Sequence, residues 1–414
     1  VYVSKYNAAG VHQWTTTLGG TGGEYSYGVA VDGSGNVHVA GSFAGTVDFG
    51  AGNVTSTGSV DLFVTKLNTS GAHQWTTTFG GTGTEGTRGV AVDGSGNVYA
   101  IGFFYLTVNF GAGNVTSKGI ADVFVTKLNS SGAHQWTTTL GGANNDIGYG
   151  VAVDGSGNVY VTGSFKGFVD FGVGFVTSAG NSDVFVTKLN AAGVHQWTNT
   201  FGSQPSEYGY GVAVDGSGNV YVTGSFSGTV NFGAGNVTSA GSGDVFVTKL
   251  NAAGVHQWTT TLGGDGNDGG KGLALDAAGN VHVTGQFSGT VDFGAGNVTS
   301  AGDKDVFVTK LNAAGVHQWT TTLGGTDTDL SDRVAVDSSG NVYTTGYFQG
   351  TVDFGAGNVT SAGSYDVFVV KLNSAGQAVV AGGSGTPAGA WDTTAGSDTN
   401  YGSITFGGTS SDRG

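Results

Sequence analysis

The chain has 414 residues, 81 of them glycine, with 14 basic against 29 acidic side chains and a net charge of −15. So few cations leave no basic surface to neutralise phosphates, which excludes nucleic-acid binding; the absence of cysteine removes disulfides, thiolate metal sites and a cysteine nucleophile. No stretch approaches the ~18 uninterrupted apolar residues of a membrane helix, yet 38% hydrophobic and 11% aromatic residues are too apolar for a disordered chain.

The first residue is Val1 and not Met, so the chain reads as a processed product or a module of a longer polypeptide. Two β-like runs come first, at 1–6 and 12–18. A period then takes over: Trp14, Trp75, Trp136, Trp197, Trp258 and Trp319 lie 61 residues apart without insertion or deletion. GVAVDGSGNVYVTGSF or a close variant starts at Gly28, Gly89, Gly150, Gly211 and Gly272, with a divergent copy at Arg333. DVFVTKLN follows from Asp61, Asp122, Asp183, Asp244, Asp305 and Asp366.

Within the second copy the predicted strands are 89–93, 97–104, 122–128 and 134–140. Val, Phe, Tyr and Thr dominate them, as pleated surfaces prefer, and DGSGN supplies the positive-φ residues of a tight hairpin. Glycine interrupts every 3.6-residue pattern, so no helix is predicted. Val123 and Val125 alternate with Phe124 and Leu128, leaving both faces of a strand apolar. Four antiparallel strands per period, buried on both faces, read as a blade of a β-propeller in preference to an open solenoid. The Trp of each HQW is expected to wedge between adjacent blades.

Seven units of 61 residues would need 427, close to the chain's 414. The fold expected is therefore all-β, a single seven-bladed β-propeller over 1–414. Blades begin near residues 28, 89, 150, 211, 272 and 333, and the seventh is shared by residues 1–20 and 384–414. The competing reading has six blades and a tail that leads into another domain.

VAVDGSGNVYVTG, DVFVTKLNAAG and the W-x-x-x-LGG run together resemble the SBBP family, a bacterial seven-bladed β-propeller repeat. With FSGTVDFG and SAGSxDVFVTKL the chain is similar to copies in large secreted and surface proteins of Bacteroidota. The resemblance covers about residues 1–373 and implies a propeller fold and an extracellular home, but no reaction. Relatives carry a more acidic loop where this chain has VDFGAGN, so a metal site there is not expected.

Each candidate site also has a structural role open to it. The HQW histidines (His12, His73, His134, His195, His256, His317) recur once per blade, too far apart to converge on a metal or a catalytic centre. Asp32, Asp93, Asp154, Asp215, Asp276 and Asp337 open hairpins that their side chains can cap. Glu24, Glu85, Asp146, Glu207, Asp268 and Asp329 stay acidic in an otherwise variable loop, fit to hold cations or sugar hydroxyls, or to receive backbone N–H groups. Asn53 and its N-V-T equivalents are read as loop chemistry. The sharpest break in symmetry puts Phe103, Tyr105, Leu106, Phe168, Val173 and Phe175 where other copies are mostly small or polar, a candidate partner patch.

The function expected from these features is a non-catalytic extracellular structural and interaction module of a larger surface or secreted protein. It would display variable loops to other protein domains, without a cofactor; calcium is the one ion the acidic loops leave open. The alternative is a lectin-like propeller for surface glycans, and a propeller lyase or hydrolase stands behind both.

Overall fold

The structure, a computed structural model, describes residues 1–172, 174–355 and 357–379. Val173 and the tail expected to complete a blade lie outside the described residues. Among the described residues every regular element is a β-strand. They divide into two units: Val1–Asn7 with Val11–Gly218, and Ala8–Gly10 with the described residues from Asn219 to Val379.

The hairpins form as their composition dictates. Asp93 Oδ1 accepts from the amides of Ser95 (2.9 Å) and Asn97 (2.9 Å), while Asn97 Nδ2 donates to its Oδ2 (2.8 Å). Gly96 then turns the chain at φ 77°, a conformation that costs a side chain about 1–2 kcal/mol. The strand that follows, Val98–Phe104, pairs with both Glu85–Val92 and Asp122–Leu128 in antiparallel register. His134–Gly142 completes the four-stranded order beside Asp122–Leu128.

Two features go beyond the four strands predicted. The first strand starts earlier, at Glu85 instead of Gly89, so the acidic residue opens it. The segment between the second and third strands, where no strand is predicted, folds into a small hairpin of its own. In the second copy its arms are Thr107–Asn109 and Asn114–Thr116. That hairpin pairs with the outer strand of the preceding copy, Val108 opposite Gly81 and Asn109 opposite Gly80. Phe168–Asp170 docks likewise on Gly141 and Gly142, and in the second unit Thr290–Asp292 docks on Gly263 and Gly264. Neither Gly81 nor Gly142 could carry a Cβ, which would meet the carbonyl oxygen of Thr107 or Phe168 at 1.8 Å. Each docked hairpin thus covers the exposed edge of an outer strand.

The hairpin is pinned by a phenylalanine. Phe110, 1% exposed, packs edge-on to Phe104 (5.4 Å) and tilted against Phe124 (5.1 Å). Burying such a ring contributes about 2–3 kcal/mol. The same triad recurs as Phe43–Phe49–Phe63 and, in the second unit, as Phe287–Phe293–Phe307.

The alternation inside Asp122–Leu128 places the core. Val123 and Val125 join a cluster with Val159, Val161 and Phe185 of the next copy; Phe124 and Leu128 join one with Leu62, Val64 and Val98. Successive sheets therefore bury both faces of this strand, and all-β, propeller-like repeated units result. In the second unit Val245 and Val247 pack in the same way with Val281, Val283 and Phe307.

Candidate binding surfaces

The first strand of a repeat carries a β-bulge. The ladder skips Tyr27 between Ser26 and Gly28, Arg88 between Thr87 and Gly89, and Tyr149 between Gly148 and Gly150. In the second unit it skips Lys271 and Asp332. A bulged residue is released from the pleat and its side chain is re-aimed. These are also the positions where the copies differ in charge: Tyr27, Arg88, Tyr149, Tyr210, Lys271 and Asp332 occupy one phase of the repeat. Sequence reasoning passed over them because they sit inside the well-matched strand; the signal was the change of residue class at fixed phase.

In the first unit these side chains form an aromatic wall around one guanidinium. Arg88 lies 4.7 Å from the Tyr27 ring centroid and 5.3 Å from that of Phe103, both cation–π distances. Phe103 reaches it because Gly86 opposite has no side chain; a Cβ there would meet the ring at 2.5 Å. Phe103 also meets Tyr105 edge-on (5.7 Å). Further along, Tyr149 and Tyr210 are 5.1 Å apart and Tyr208 stacks on Tyr210 at 5.9 Å. Burial pushes the Tyr149 hydroxyl up, opposed by its bond to Ser164 and by the charge of Arg88. All of these side chains are half-buried.

The second unit replaces rings by charge at the same phase. Burial pushes Lys271 down to about 8, with the Asp332 carboxylate pulling the other way. Asp332 is itself raised by burial and lowered by Arg333 and Lys271.

A separate surface is openly apolar. Phe168 is 63% and Phe175 76% exposed, on one face of the docked hairpin, where Phe168 pairs with Thr177 and Phe175 with Asp170. Other copies have Thr and Asn at these positions, and their threonines bond across the hairpin, as Thr46 does with Thr55 (2.8 Å). Leu106 (56%) and Ile120 (55%) are exposed as well. Leu106 takes a position that is glycine in every other copy, at φ 55°, the only positive-φ side chain among the described residues. Ile120 stands where the others read Ser59, Asn181, Ser242, Asp303 and Ser364, a difference the sequence reading missed. The backbone beside Ile120 is tightly packed: a Cβ on Gly119 would meet the Gly142 carbonyl at 2.3 Å. The six residues grouped in sequence therefore separate. Phe103 and Tyr105 belong to the wall, Leu106, Phe168 and Phe175 are exposed, and Val173 is outside the described residues.

The acidic loop residues turn inward. Asp146, 1% exposed, accepts from the amides of Gly142 (2.7 Å) and Lys166 (3.0 Å). Asp268 does so from Gly264 and Ser288, Asp329 from Gly325 and Gln349, and Glu207 from Ser203. Glu85 is wholly buried and Glu24 half-buried. Desolvation is the main cause that pushes Glu85 up to about 8 and Asp146, Asp268 and Asp329 to about 6. A second buried carboxylate adds to each shift: Asp61, Asp122, Asp244 and Asp305 respectively. Among the described residues no three His, Asp or Glu side chains gather as a metal site would need. The hairpin aspartates cap their own turns, and His73 bonds to Thr76 (2.9 Å), as do its equivalents.

A beta-propeller repeat profile, SBBP, matches residues 13–42, 135–164, 196–226 and 318–347. The chain thus carries SBBP beta-propeller repeats in these four segments. Each match runs from an HQW strand through the first two strands of the next SBBP repeat, so it spans the bulge and the acidic position. Two full-length relatives share more of the chain. An uncharacterized WD repeat-containing protein, L264, of Acanthamoeba polyphaga mimivirus is 23% identical over 80% of this chain and 30% of its own length. The regulatory protein FlaEY of Caulobacter vibrioides is 28% identical over 91% of this chain and 42% of its own. The chain thus spans less than half of either relative. Among solved structures, a luciferin-regenerating enzyme is similar at a TM-score of 0.38, with 12% identity over 78% of this chain and 85% of that one. Regucalcin of Agrobacterium tumefaciens scores 0.33, with 11% identity over 71% of this chain and 72% of its own.

Proposed function

We propose that this SBBP chain is a non-catalytic, extracellular scaffold within a larger surface or secreted protein, and that it meets a protein partner through Leu106, Ile120, Phe168 and Phe175. The observation that carries the reading is the hairpin face on which Phe168 and Phe175 stand 63% and 76% exposed where sister repeats place Thr and Asn. Exposed apolar groups cost nothing in isolation but, gathered together, mark contact surfaces. The rigid repeats beneath hold such loops in place without spending ordering entropy at contact.

The same proposal takes the repeats as seven blades of one ring. Lys5 Nζ donates to the Thr69 carbonyl at 3.3 Å, 64 residues on; within the second unit Lys371 Nζ donates to the Ala8 carbonyl at 3.2 Å, 363 residues back. The two separations together make seven repeats of 61.

The test is a photo-crosslinking side chain at position 175, with Val316, 57% exposed and present in several repeats, as the control, in cells that make the full-length protein. A discrete adduct from position 175 alone supports the contact. No adduct, or the same adducts from both, overturns it. Protease treatment of intact cells reports the location: cleavage of the chain supports an extracellular site, and complete protection removes it.

A further inference from the structure

We propose that the bulge row of the first unit is a binding site for a carboxylated carbohydrate, with Arg88 reading the carboxylate and Tyr27, Phe103, Tyr149 and Tyr210 receiving the sugar rings. The inference is independent of the apolar hairpin and survives its failure.

Three observations carry it. The first is the choice of residues: at one phase of a near-identical repeat, the first unit has three tyrosines and an arginine, and one of the chain's 3 arginines is placed there. A tyrosine offers both a flat apolar face and a hydroxyl, which suits a pyranose with its C–H face and equatorial hydroxyls. The second is preorganisation. Arg88 is held against two rings, at 4.7 and 5.3 Å, so its planar fork is already oriented and loses little freedom on pairing with a carboxylate. The third is the bulge itself. It breaks the hydrogen-bond ladder at Tyr27, Arg88 and Tyr149, so these strands offer no continuous backbone edge for an added peptide strand. A side-chain-lined ligand fits better than a peptide.

The net charge of −15 makes the selectivity meaningful. A chain this acidic repels polyanions in general, so binding of one requires a specific cation. The second unit has Lys271 and Asp332 where the first has tyrosines and an arginine, and this phase is not part of the site.

The experiment uses the whole chain and isothermal titration with three probes: an oligouronate, its methyl ester and an acidic peptide of equal charge. Each is run with calcium and with chelator. The oligouronate should bind with or without calcium, the ester about tenfold more weakly. Arg88→Gln should erase the difference between the two sugars, and Tyr149→Ala with Tyr210→Ala should weaken both. Arg88→Lys, which keeps the charge but not the fork, should restore only part of it. Thermal melting confirms that each variant is folded. Binding that requires calcium, equal affinity of wild type and Arg88→Gln for the oligouronate, or preference for the acidic peptide each overturns the proposal. So does absence of binding to both sugars.

Discussion

Trp75 donates its indole N–H to the carbonyl of Ser130, 55 residues ahead in the following repeat, at 3.1 Å. Its ring lies against Gly132, and Thr77 Oγ1 reaches the Gly132 carbonyl at 2.7 Å. Trp14, Trp136, Trp258 and Trp319 repeat the contact. The tryptophan is a clamp on the next repeat's turn, and that turn needs glycine twice over, for φ 83° and for space.

Gly132→Ala should therefore destabilise strongly. A Cβ would meet the Trp75 ring at 2.7 Å in a backbone conformation that already costs about 1–2 kcal/mol. Gly94→Ala, in a hairpin where a Cβ meets nothing within 4 Å, should be neutral or slightly stabilising. Urea unfolding of the pair checks this; similar midpoints for both would refute the clamp.

The buried carboxylates give the fold a sign of pH dependence. Glu85, near 8, and Asp146, Asp268 and Asp329, near 6, sit above their unfolded values, so their protons are held more tightly in the folded chain. The contribution is complete below about pH 4 and is lost as pH rises through 6 and then 8. His282 works the other way: burial pushes it down to about 4, so its contribution is lost as pH falls from above 6.5 towards 4. Melting temperature should accordingly rise by several degrees from pH 8.5 to pH 6, and Glu85→Gln should flatten the upper part of that slope. A melting temperature that climbs steadily to pH 8.5 contradicts the assignment.

Leu106 stores backbone strain, and an observed outlier of this kind points towards use. Leu106→Gly restores the residue of the other repeats and should leave stability unchanged or raise it by about 1 kcal/mol. The same variant should weaken the contact captured at position 175. Loss of stability instead would mean that the leucine serves the fold.

Phe110→Ala should detach the small hairpin without unfolding the sheet beneath it. The expected cost is about 3–5 kcal/mol, as for other buried aromatic truncations. Amide exchange should speed up first at Val108 and Asn109, the residues paired with the neighbouring repeat. Uniform acceleration throughout the chain would argue against local detachment.

Much of this fold is legible in the sequence because its period is exact in length and its strands carry alternating apolar residues. Val123 against Phe124 announces two buried faces, and Asp93 with Gly96 announces the turn. The small hairpin was not legible: its arms are three residues long, too short for periodicity to register, and the turn between them is rich in glycine. The bulge at Arg88 was hidden for a different reason, since register belongs to the pairing of two strands and not to either alone. Ile120 and Leu106 were readable, by asking at every phase which copy departs from the rest. The acidic residues looked like a surface feature because they lie in a variable loop; Asp146 shows that the loop varies around a fixed internal anchor.

Because the hairpin of one repeat completes the sheet of the one before, the 61-residue period and the physical building block do not share boundaries. A segment cut at any single phase leaves a strand edge without its cover at one end and a hairpin without its strand at the other. Copies added by duplication arrive with both halves of the joint already in register. By the same reasoning, loss of one whole period brings an equivalent hairpin and strand together at the new seam, so the array can change length only in whole repeats.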